Sequence, residues 1–165
     1  MSTVKTQPLI LVVGSRDDFL HAYRNDQELL ADQPFGAGPG QLSDRIEYFD
    51  GDGRRFIGVY DQQGRLLQLR PSTDPPDLPA LLQRVRNATN HLRSLIEGTP
   101  EGAEYVQSMQ QAIRQLPNLN TSADLHRFLL VFVSHSKEGP PLFGPLGIDD
   151  DQPGLHNAWH RWGFR

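Results

Sequence analysis

The chain has 165 residues, a length that suits one domain with a sizeable core. Sixteen Lys and Arg stand against twenty Asp and Glu, a formal net charge of −4. A strongly electrostatic nucleic-acid or membrane binder carries the opposite sign. The absence of cysteine excludes disulfides, thiolate zinc sites, iron–sulfur ligation and cysteine nucleophiles.

The first apolar run, at residues 9–13, follows a segment with a single lysine. A secretory core needs about 7–15 apolar residues and a cleavage site. The chain is therefore expected to stay in the cytoplasm. Its longest apolar stretches, 9–13 and 128–133, fall far short of the roughly 20 residues that span a bilayer, so no membrane role is expected.

Residues 9–14 (LILVVG) read as a buried strand. Ser15 is placed to cap a helix from Arg16, with Asp17 and Asp18 in its first turn. Residues 33–41 (QPFGAGPGQ) are loop. Three strands follow as an antiparallel meander at 45–50, 54–61 and 65–70. Their connections, Gly51-Asp52-Gly53 and Gln62-Gln63-Gly64, supply the glycines that hairpins need. A Pro-rich linker covers 72–77.

The second half is helical. Asp77 caps a helix over 78–97, whose apolar residues recur at helical spacing up to Gly98. Thr99-Pro100-Glu101 starts the next helix, which runs to Leu116 and stops at Pro117. Thr121 or Ser122 caps a third over 122–136. Its FLLVFV core would equally suit a strand, but the cap and the spacing of Leu125, Phe128, Leu129 and Phe132 favour helix. Residues 139–165 read as an irregular aromatic tail with Trp159, Trp162 and Phe164. The expected fold is α+β in a single domain, 1–165. It has an N-terminal strand and helix and the meander (1–76, mainly sheet), a three-helix C-terminal half (77–138) and the tail.

Few residue clusters point to chemistry. His156 and His160 are four apart and would share a helix face as metal ligands, with Asp149, Asp150 and Asp151 upstream. Docking of the tail's aromatic residues accounts for the same pattern. His135, Ser136 and Asp124 are triad residue types without an orienting motif. Arg84, Arg86 and Arg93, with Arg54, Arg55, Arg65 and Arg70 on the meander, suit either a solvated cationic face or a phosphate-contacting surface. Glu138, just after an apolar helix, opposes the helix dipole, a local conflict of the sort found at sites.

Taken in order, these features resemble the ribosome-inactivating protein family, the ricin A-chain-like rRNA N-glycosidases. Residues 9–30 resemble that family's opening strand and first helix. RFIGVYDQQGRLLQL at 55–69 resembles its strand pair with a site aromatic, and MQQAIRQL at 109–116 its L-x-x-A-I-x-x-L helix. LHRFLLVFVSHSKEGPPLF at 125–143 resembles its central apolar helix, which ends in the catalytic Glu. LHNAWHR at 155–161 resembles its L-x-N-x-W-x-x-L segment, which supplies a site Trp.

The resemblance implies an N-glycosidase-like hydrolase that acts on, or is degenerate for, purine bases in RNA. Its partner would be RNA or the ribosome, and it would need no cofactor. Glu138 would be the catalytic acid, stabilising positive charge on the departing sugar. Trp159 would wall the base pocket, and Phe56 stands where one stacking aromatic falls, with His91 nearest to the other. The family's domain is longer, and its E-A-x-R-F motif becomes EGPPL here, without the arginine. The alternative is a non-catalytic binding protein that docks on a protein partner through its aromatic tail and arginine-bearing helix. A lesser alternative is a metal-dependent hydrolase using His156 and His160.

Overall fold

The computed structural model describes residues 9–32, 45–133 and 155–163. It is α+β, as the sequence pattern requires. Strands β1 (Ile10–Gly14), β2 (Leu20–Tyr23), β3 (Ile46–Asp50), β4 (Arg55–Tyr60) and β5 (Leu66–Pro71) form one antiparallel sheet in the order β2-β1-β3-β4-β5. The three-strand meander is present, each strand within one residue of its expected bounds. It is extended by β1, which pairs with both β2 and β3. Every residue of β1 is buried. That explains its continuous apolar run, since a strand covered on both faces has no need of alternation.

The first helix differs from expectation. Ser15 caps nothing; its amide donates to the Arg45 carbonyl. The segment after β1 is a tight turn into β2, closed by the Gly14 amide donating to the Phe19 carbonyl. Asp17 adopts φ +56°, a left-handed conformation that breaks any helix from Arg16. Gly14 suits the position beside it, because a Cβ there would lie 2.9 Å from the Phe19 backbone nitrogen. The helix α1 is shorter and later, Asp26–Asp32, with Asn25 Oδ1 accepting from the Glu28 amide. It packs against both β2 and β5, the two ends of the strand order. Four strand spacings in a flat sheet would be about 19 Å, while a helix this short is about 10 Å long, so the sheet curls around α1.

The two meander turns use one device twice. Asp50 Oδ1 accepts from the amides of Asp52 and Arg54, and Asp61 Oδ1 from those of Gln63 and Arg65. Gly53 has φ +85°, and a Cβ there would strike the Leu78 amide at 2.6 Å. The β3–β4 turn thereby docks on the start of α2 (Leu78–Glu97).

Helix α2 has the expected bounds. Asp77 caps it by accepting from the Ala80 amide, and Leu81, Leu82, Val85, Ala88, Leu92 and Ile96 are buried along one face. Each large apolar side chain so buried contributes about 1.5–3 kcal/mol. The next helix begins differently from expectation. Pro100–Tyr105 is a 3-10 helix, and Thr99 makes no side-chain cap. The α-helix α3 covers Val106–Gln115, and Leu116–Asn118 is again 3-10.

Helix α4 covers Ser122–Phe132, so FLLVF is helical, with Leu125, Phe128, Leu129 and Phe132 buried. Thr121 and Asp124 form a reciprocal capping box. Ser122 instead donates its hydroxyl to the Gly51 carbonyl, tying α4 to the β3–β4 turn. Within the expected irregular tail, Leu155–Trp162 is a helix, α5. Trp159 is 2% exposed and Trp162 4%. Trp159 lies against Phe19 and Trp162 edge-on to Tyr105, with ring centroids 5.9 and 5.3 Å apart. Among the described residues no helix is long and apolar enough to cross a membrane.

Candidate functional site

The arginines sort into two groups. Arg84, on the flank of α2, is fully engaged. Its Nε donates to Asp17 Oδ1 at 2.8 Å, and its Nη2 to the Gly14 carbonyl at 2.9 Å and to Glu47 Oε2 at 2.8 Å. The guanidinium also sits 5.4 Å over the Phe49 ring. Asn87, one turn on, donates to Asp17 Oδ2. Arg55 faces Glu47 at 3.5 Å. Arg86, on the other flank of α2, donates to the Leu116 and Leu119 carbonyls. These side chains hold the fold together.

Arg114 and Arg127 behave differently. They line a cleft of about 380 Å³ between α3 and α4. The sequence builds it simply. Met109 and Ala112 turn one side of α3 into the core, which leaves Gln111, Arg114 and Gln115 outward. Leu125, Phe128 and Phe132 do the same for α4, leaving Asp124, Arg127 and Val131 at spacings of three and four on the cleft side. The 3-10 turn between the helices closes one end with Asn118 and Leu119. Arg86 fixes that end from below by binding its carbonyls. Phe128, Phe132 and Leu119, all buried, form an apolar floor.

The rim is polar and carries net positive charge. Among the described residues, neither Arg114 nor Arg127 makes a hydrogen bond or ion pair within the protein. The one acid in the lining, Asp124, is committed elsewhere. Its Oδ2 accepts from the Asn120 and Thr121 amides at 3.1 and 3.0 Å. The Asn120 amide first, then Thr121, and last the nearby Arg127 hold its carboxyl below the usual range. Asp124 is thus ionised and engaged at neutral pH, which leaves it unsuited to proton transfer. Two guanidinium forks and three carboxamides over an apolar floor can bind an anion with a nonpolar body.

Of the catalytic and metal candidates singled out by sequence, Asp124 is the one found in this cleft among the described residues. Glu138, with His135, Ser136 and Asp149–Asp151, lies outside the described residues. The side chains of His156 and His160 do too. No group of three His, Asp or Glu that could hold a metal occurs among the described residues. Trp159 is packed inside beside β2, at one end of the strand order, and Phe56 stands on β4, three strands along, paired with Tyr48. The structure does not bring these two rings together. The sequence marks only the buried sides of α3 and α4. Arg114 and Arg127 stand out once the turn at 116–118 folds the two helices side by side. No family model, curated protein or solved structure matches the chain.

Proposed function

We propose that this is a non-catalytic binding protein whose ligand, a small anion with an apolar body, sits in the cleft between α3 and α4. The observation that carries this reading is the pair Arg114 and Arg127, which face a ligand-sized cleft and make no hydrogen bond or ion pair among the described residues. The planar guanidinium fork matches phosphate or carboxylate geometry, so two of them over an apolar floor suit an anion with a nonpolar body. Two further observations support binding over catalysis. The cleft's acid is consumed by helix capping, and the tail tryptophans are core residues. For the same reason docking belongs to the cleft and not to Trp159 or Trp162.

The test is calorimetric titration with an alkyl monophosphate. Measurable binding is expected, and Arg114→Gln or Arg127→Gln should each weaken it about tenfold or more, the scale of one charge-assisted hydrogen bond. Wild type and variants binding alike would refute the reading. The same preparation, incubated with ribosomes, should release no adenine. Release that Glu138→Gln abolishes would restore the N-glycosidase reading in its place.

A further inference from the structure

The far side of α3 carries a second concavity. About 230 Å³ in volume, it lies between α3 and the C-terminal part of α2. Ile96, Val106, Met109 and Ile113 line it with apolar surface, and Arg93 and Arg114 stand at its rim. Arg114 is common to both cavities, so it sits on the crest that divides them. Arg93, like Arg114 and Arg127, makes no hydrogen bond or ion pair among the described residues. The acid in this lining, Glu97, stands four residues from Arg93 on α2 but does not reach ion-pair distance. Three arginines that make no hydrogen bond or ion pair among the described residues thus follow one another across α3, over two apolar floors, in a chain whose net charge is −4.

We infer that the two cavities are subsites of one site, and that the ligand is an elongated bis-anion. This rests on the binding reading above. One anionic group is held between Arg127 and Arg114, the other between Arg114 and Arg93, and a neutral linker passes over the end of α3. A helix with its side chains is about 10 Å across, so the two charged groups lie about 10 Å apart. Two-point attachment gains because the second anion binds at the high effective concentration set by the first. A point anion would use Arg114 and one neighbour and would leave the third arginine idle.

The experiment compares an α,ω-alkane bisphosphate long enough to span about 10 Å with the alkyl monophosphate of equal length. The bisphosphate should bind about tenfold tighter or more, and Arg93→Gln should reduce it to monophosphate affinity. Arg70→Gln, which removes the same charge from the sheet, should change neither. A bisphosphate too short to span α3 should show no advantage over its monophosphate, a comparison that needs no variant. Equal affinity of the long pair, or an advantage that survives Arg93→Gln, would overturn the bis-anion inference and leave the single cleft standing. If neither compound binds, the single-cleft reading falls as well.

Discussion

The seam between the β1–β2 turn and α2, and the cleft between α3 and α4, use arginine in opposite ways. In the seam, Arg84 donates to Asp17, Glu47 and the Gly14 carbonyl, and lies over Phe49. Its side chain is 21% exposed, and each acid it meets is 22% exposed. Trp159 closes the neighbouring gap against Phe19. In the cleft, Arg114 and Arg127 are exposed, face empty space, and have no protein partner among the described residues. The first region shows what an arginine does when it holds a fold together. The second has the same chemistry without that duty.

If the seam is structural, breaking it should cost stability and leave binding intact. Trp159→Ala should cost the most, about 3–5 kcal/mol, the scale of deleting a fully buried aromatic. Urea unfolding monitored by far-UV dichroism checks it. A loss within about 0.5 kcal/mol would show that α5 is not part of the core. Arg84→Met keeps the apolar stem and removes the fork. It should cost about 2–3 kcal/mol, because Asp17, Glu47 and the Gly14 carbonyl lose their donor while part-exposed solvent compensates some of the loss. Alkyl phosphate affinity at a temperature where the variant is folded should stay at the wild-type value.

The smallest expected effect concerns pH. Asp124 is held low by the Asn120 and Thr121 hydrogen bonds, and burial holds His126 below its ordinary 6.5. In both cases the unfolded chain binds more protons than the folded one, so stability falls as pH falls. For His126 the loss begins as pH drops through the ordinary histidine range. For Asp124 it begins as pH drops through the ordinary carboxylate range and is complete at its lowered folded value. Asp124→Asn should flatten the acid limb of the stability–pH curve below about pH 4. An unchanged limb would show that the capping box contributes nothing at the cleft mouth.

The sequence pattern reached far into the helical half, because its signals are local. Asp77 and Thr121 cap within three residues of themselves, and α2 buries a face that recurs every three to four positions. The meander turns were legible for the same reason. The difference at residues 15–23 is also physical. Ser15-Arg16-Asp17-Asp18 reads as a helix start, but Arg84, 67 residues away, holds Asp17 in a left-handed turn that no window around residue 17 contains. The cleft was hidden in the same way. Arg84, Arg86 and Arg93 look alike along α2, and only their neighbours in space make one a clamp, one a brace for the 116–119 turn and one a rim residue.

The double variant Arg114→Gln with Arg127→Gln tests the contrast most directly, with unfolding and alkyl phosphate titration measured on the same sample. Among the described residues these side chains make no hydrogen bond or ion pair, so stability should stay within about 0.5 kcal/mol of wild type while binding drops about a hundredfold or more. A variant that unfolds readily, or one that binds as tightly as wild type, would contradict the assignment of these arginines to a ligand.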